Sequence, residues 1–235
     1  EVPTMPRTGR NLLPNYPHHI VQRGHNRQVV FAEPSDYQYY LETLQTWKRN
    51  LEIKVYAYCL MTNHVHLVLQ PPDDVGALSS LMNRLAGRQT RYANRLEARS
   101  GTLWDGRFKS SPIQNDTYLL SCCRYVELNP VRARMIASPS QYRWSSYCSR
   151  IGQAKAPWLD DHACFIELSL SAQERISRYR RFVEQGVPVD ELKFIREALQ
   201  RGQLTGNKWF IDEVEQIIGR RIEHRGPGNR GKYGK

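Results

Sequence analysis

The stretch from Ile53 to Gln70 most constrains what this chain can fold into. Ile53 to Met61 (IKVYAYCLM) is rich in β-formers, and His64 to Gln70 (HVHLVLQ) reads as a second strand. Thr62 and Asn63 between them read as a tight turn, so the two segments are expected to form a hairpin. Side chains on a strand alternate faces. Val65, Leu67 and Leu69 therefore suit a core, and His64 and His66 project together to the opposite face.

The segments around this hairpin give it a place in a fold. His18 to Arg23 reads as a first strand. A helix follows from Ser35, with Ser35 and Gln38 as its capping box and Tyr37, Tyr40, Leu41, Leu44 and Trp47 at helical spacing. After the hairpin a long helix is expected over Val75 to Ala98, with Leu78, Leu81, Leu85, Tyr92 and Leu96 as its buried stripe. Arg84, Arg88, Arg91 and Arg95 form a basic stripe on a neighbouring face, suited to a nucleic-acid stem or simply to solvent. A short strand near Lys109 to Gln114 leads into a third helix, capped by Asn115 or Asp116 and stopped by Pro130 after Asn129. The order β-α-β-β-α-β is the ferredoxin-like pattern, and the third helix is an addition. The expected class is α+β: a ferredoxin-like βαββαβ sandwich with one added helix and a C-terminal helical extension. In that sandwich, helices cover one sheet face and leave the other free for a site.

Three further helices are expected: one opened by Ser171 and Glu174 and ending near Glu184, one over Val189 to Gln200, and one over Lys208 to Ile218. The last residues are Gly-rich and basic. The division is a first domain over 1–150, a helical region over 151–219 and a flexible basic tail over 220–235.

The charge narrows the partner. Lys and Arg number 34 against 23 Asp and Glu, a formal net charge of +11. Such a field attracts polyanions, of which nucleic acid is the commonest. The five cysteines are odd in number and contain no CxxC pair, which argues against a disulfide framework and a zinc ribbon and suits a reducing cytoplasm. The N-terminal residues lack the apolar core of a signal peptide, and no apolar run is long enough to cross a membrane.

Two imidazoles two residues apart on one strand face can share a cation. On the third helix (TYLLSCCRYVELNP), Leu119, Leu120, Cys123 and Val126 form the expected core stripe. Tyr118, Ser121, Cys122, Tyr125 and Asn129 form a more polar one. Tyr125 and Asn129 are four apart and face one way. A phenol with a pKa of about 10 is a poor nucleophile until a nearby cation stabilises its phenolate. Asn129 offers a neutral oxygen to a hard cation. Arg23, Arg27, Arg107 and Lys109 flank the expected site and are candidate contacts to phosphates or bases. Tyr56 and Tyr58 suit either base stacking from one sheet face or core packing.

These strings resemble a known family. YCLMTNHVHLVL with RYVELNPVRARM, supported by VQRGHNRQ, GTLWDGRFKSSPI and FIDEVEQIIGRR, is similar to the HUH-type single-tyrosine transposases, and within them to the REP-associated branch. The similarity is strongest over residues 15–150. It implies that His64 and His66 bind Mg²⁺ or Mn²⁺, that Asn129 is a third ligand, and that Tyr125 is the nucleophile. Attack by Tyr125 on single-stranded DNA would leave a 5′-phosphotyrosine link and a free 3′-OH. The implied partner is a REP-type hairpin preceded by a tetranucleotide. The implied state is a monomer in the bacterial cytoplasm, associated with the nucleoid, with a dimer as the alternative. His25 stands where Asn is usual in this pattern. Two other function classes compete. One is a non-catalytic hairpin-binding protein. The other is a zinc hydrolase or deaminase recruiting Cys122 or Cys123, although the H-x-E…P-C-x-x-C pattern of the zinc deaminases is absent.

Overall fold

A computed structural model describes residues 10–218. The expected tail over 220–235 lies outside the described residues. Four strands, β1 (His18–Arg23), β2 (Lys54–Met61), β3 (His64–Gln70) and β4 (Lys109–Pro112), form one sheet in the order β2-β3-β1-β4. Every neighbouring pair is antiparallel. With α1 (Pro34–Asn50) between β1 and β2, and α2 (Gly76–Leu96) between β3 and β4, this is the ferredoxin-like arrangement. The chain continues through α3 (Asn115–Glu127), α4 (Asn129–Arg132), α5 (Tyr147–Arg150), α6 (Ala163–Ile166), α7 (Ala172–Glu184), α8 (Val189–Arg201) and α9 (Lys208–Ile218).

Strand alternation divides the core as expected. Ile20, Leu60, Val65, Leu67 and Leu69 pack under α1 and α2 with Tyr40, Leu44, Leu78, Leu81 and Leu85. The opposite face is not free. Ala57, Cys59, Met61 and Val68 pack against Leu119, Cys122, Cys123, Tyr125 and Val126 of α3. Leu119, Cys123 and Val126 pack there as expected, Cys122 and Tyr125 of the stripe that looked polar are buried beside them, and Leu120 packs instead with the third cluster. Burying such side chains stabilises by roughly 1.5–3 kcal/mol each, which outweighs leaving the face to solvent.

Several local expectations change. Helix α1 begins behind Glu33 and uses Asp36 in its capping box, not Ser35 and Gln38. Pro34, favoured at the first helical position, moves the start upstream. Leu96 is exposed at the end of α2. Arg84 and Arg88 sit over the rings of Trp47 and Tyr39 of α1, at 3.7 and 5.9 Å. Pro130 does not end helical structure but opens the turn α4. Tyr56 and Tyr58 fall into different cores, because the register shifts between Val55 and Ala57. Neither presents its ring for base stacking, since both are buried.

Gly24 closes the turn after β1. A Cβ there would meet the Gln28 carbonyl oxygen at 2.5 Å, and the Gly24 amide donates to the Asn63 carbonyl at 2.8 Å. Backbone cannot yield as a side-chain tip can. Gly24→Ala is expected to lose about 1–3 kcal/mol in urea unfolding. Unchanged stability would show that the turn is not packed as described.

Candidate active site

The strand register assembles the site in rows. Arg23, His64 and Met61 lie side by side across β1, β3 and β2, and Lys109, Val21, His66 and Cys59 form the next row. His19 is on the same face, two residues before Val21. From above, α3 lowers Tyr125 onto these rows. The His64 and His66 ring centroids are 5.0 Å apart, and the Tyr125 ring lies 6.0 Å from His66 and 5.4 Å from His19. All of this comes from one chain.

A cavity of about 430 Å³ opens at this point, lined by Arg23, His64, His66, Arg107, Lys109, Tyr125 and Asn129 among others. Seven of the eight residues singled out from the sequence therefore meet in one place. Arg27 does not join them; it is exposed on the 3₁₀ turn His25–Arg27 with φ at 60°.

The lining also includes Asp105, Arg132, Arg196 and Gln200, which the sequence reading missed. Arg132 was legible in principle, being seven residues beyond Tyr125 and so on the same helical side. Its guanidinium lies 4.0 Å over the Tyr125 ring and donates to the Tyr125 carbonyl at 2.9 Å and to Asn129 Oδ1 at 2.7 Å. Asn129 Nδ2 donates to the carbonyls of Tyr125 and Val126, both at 3.1 Å. The Asn129 oxygen thus already has one donor and one lone pair left.

Arg196 and Gln200 had no local signal, because only tertiary structure brings α8 to the cavity. Arg124 on α3 grips both carboxylate oxygens of Glu191 at 2.8 Å, and Ser121 donates to the same group at 3.1 Å. Beyond α8, Thr205 bonds to Pro112 and Gln114 along the end of β4. Glu191 is half-buried, but removing its carboxylate strands the buried guanidinium of Arg124. Glu191→Ala is expected to cost about 3–5 kcal/mol in urea unfolding. A loss under 1 kcal/mol would mean that α8 is not anchored through this pair.

The electrostatics are those of a neutral imidazole group inside a ring of cations. Burial, then Arg23, holds His64 down at about 4. Burial, then His19, His64 and the nearby arginines, holds His66 well below the usual histidine range. Burial, then Arg132, holds His19 at about 3. Neutral imidazoles are the form that binds a cation. Cys122 and Cys123 line the second core rather than the cavity, and burial pushes both thiols up. Among the described residues, no three His, Cys, Asp or Glu side chains group as a metal site. A zinc centre recruiting those thiols therefore has no support in the geometry.

The family described as "Transposase IS200 like" matches residues 13–129. The solved structure of a REP-associated tyrosine transposase bound to a REP hairpin matches with a TM-score of 0.56. It is 17% identical and covers 68% of this chain and 93% of its own. A crystal structure from Deinococcus radiodurans R1 matches at 18% identity over 55% of this chain and 92% of its own, with a TM-score of 0.34. No curated protein sequence matches the chain.

Proposed function

From the premise that the chain belongs, over residues 13–129, to the IS200-like transposase family, we propose that it nicks and rejoins single-stranded DNA through Tyr125. The observation that carries this is the meeting of two neutral imidazoles and one phenol in a cavity ringed by cations. Tyr125 attacks the scissile phosphorus and gives up its phenolic proton. The bond to the 3′ oxygen breaks, leaving a 3′-OH and a 5′-phosphotyrosine. The link keeps the bond energy of the phosphodiester, so a 3′-OH can reverse it without ATP.

The donor set fits a hard divalent cation. His64 and His66 offer imidazole nitrogens from one strand face, and Asn129 has a lone pair to spare as a third ligand. Mg²⁺ or Mn²⁺ bound there would withdraw charge from the scissile phosphate. Arg132 holds the backbone and amide of the tyrosine helix and lies against the nucleophile's ring. Arg23, Arg107 and Lys109 supply positive charge where the DNA backbone must run, and Arg27 extends that field outside the cavity. The substrate is a REP-type hairpin with a 5′ tetranucleotide, bound by a monomer acting with its own tyrosine in the bacterial cytoplasm.

The test is incubation with a labelled single-stranded hairpin and Mg²⁺ or Mn²⁺. A nicked strand that disappears with EDTA is expected. Tight hairpin binding without any nick would favour a purely DNA-binding protein.

A further inference from the structure

Each imidazole of the pair is engaged at Nδ1 by a neighbour outside the cavity's chemistry. His64 Nδ1 lies 2.6 Å from Asn63 Oδ1. The amide's orientation is fixed independently, because Asn63 Nδ2 donates to the Arg27 carbonyl at 3.2 Å. A carbonyl oxygen only accepts, so His64 carries its proton on Nδ1 and keeps a lone pair on Nε2.

His66 Nδ1 lies 2.9 Å from Nε2 of His19, a fully buried ring stacked on it at 5.2 Å. Either ring can donate in that bond. The cavity decides between them. Arg23, Arg107, Lys109, Arg132 and Arg196 line it against one carboxylate, Asp105, so its charge is strongly positive. Facing such cations, a lone pair at His66 Nε2 is favoured over an N–H. His66 is then the donor and His19 the acceptor. The far nitrogen of His19, Nδ1, is buried with no hydrogen-bond partner among the described residues. An unsatisfied buried polar atom destabilises a fold. An apolar residue would serve packing better there, so His19 is explained by what it does to His66.

We propose that Asn63 and His19 are positioning residues that preset both imidazoles as Nδ1–H tautomers, so that two Nε2 lone pairs face one divalent cation. This rests on the metal reading of the site above, but the tautomers belong to the metal-free protein and are measurable there. Such outer partners typically change metal affinity 10- to 100-fold.

The test pairs two readouts on the full chain. Long-range ¹H–¹⁵N NMR of metal-free protein at pH 8 reads the tautomers, and electron paramagnetic resonance reads Mn²⁺ binding without DNA. Wild type is expected to show Nδ1–H at both His64 and His66. Asn63→Ala and His19→Phe should each lose the single tautomer at the ring they touch and weaken Mn²⁺ binding about 10- to 100-fold. Asn63→Asp and His19→Gln keep an acceptor oxygen and should retain the tautomer, which separates positioning from mere packing. Nε2–H at either ring of wild type overturns the proposal, as does wild-type Mn²⁺ affinity in both acceptor-less variants. Nδ1–H rings in a wild type that takes up no Mn²⁺ would instead overturn the metal reading, and the positioning role with it.

Discussion

Tyr125→Phe is expected to abolish denaturation-resistant protein–DNA adducts, by about a thousandfold or more, while leaving hairpin affinity and folding near wild type. Removing a nucleophile removes a bond that no other group supplies. The fold should not notice, because among the described residues no hydrogen bond to the Tyr125 hydroxyl is formed within the chain. A phenylalanine ring fills the same space against Met61, Cys122 and Val126. It also still lies under the Arg132 guanidinium, which attracts either ring. Thermal melting, hairpin binding and adduct formation on one preparation check this. Adducts at wild-type yield would transfer the role to another residue. Tyr118, seven residues earlier on α3, stands first in line.

The second large effect is acid unfolding. His18 accepts the Leu13 amide at Nε2, 3.0 Å, and donates from Nδ1 to the Tyr16 carbonyl at 2.7 Å. Burial holds it at about 4, partly offset by that second bond. His19, His64 and His66 are held low as well. For a base whose folded pKa is depressed, the unfolded chain binds more protons below the ordinary value of 6.5. Stability is therefore full above 6.5 and is lost as pH falls toward 4. His18 alone accounts for on the order of 3 kcal/mol by the bottom of that window.

Glu127 works in the opposite direction. Burial raises it to about 7 despite hydrogen bonds from Ser146 and Tyr179. An acid raised in this way costs stability as pH climbs from 4.5 to 7. One carboxyl is set against four imidazoles, so the histidines win. Whole domains are stable by only about 5–15 kcal/mol, so the chain is expected to unfold between pH 6.5 and 4. Melting temperatures across that range read the effect directly. A flat profile would mean that the four rings are not buried as neutral groups.

How much of this was legible in the sequence depended on periodicity. The period of two along His64–Gln70 put Val65, Leu67 and Leu69 on one face and His64 and His66 on the other, although apolar Val68 shares the histidine face. Order and spacing gave the ferredoxin-like frame. Periodicity put Leu119, Cys123 and Val126 of α3 in the core but could not say how far round the helix the sheet would reach. Cys122 and Tyr125 are as able to pack as Leu120, and the choice was made by the exposed sheet face over which α3 lies. Nor could it find the bulge in β2, which sends Tyr56 and Tyr58 to different sides. His19 was within reach, since it shares a strand face with Arg23, which the sequence already put beside the site. Arg196 and Gln200 were not, because the Arg124–Glu191 grip that brings α8 to the cavity joins residues 67 apart in sequence.

In the proposed reaction, the phenol oxygen over the histidine pair is the atom that joins the DNA. Trapping the adduct with a single-stranded hairpin and Mn²⁺, digesting it and sequencing the nucleotide-bearing peptide by mass spectrometry tests this most directly. The predicted result is a 5′-phosphate on Tyr125 in the RYVELNPVR segment. A phosphate on any other side chain, or nicked DNA with no covalent protein at any time point, would contradict it.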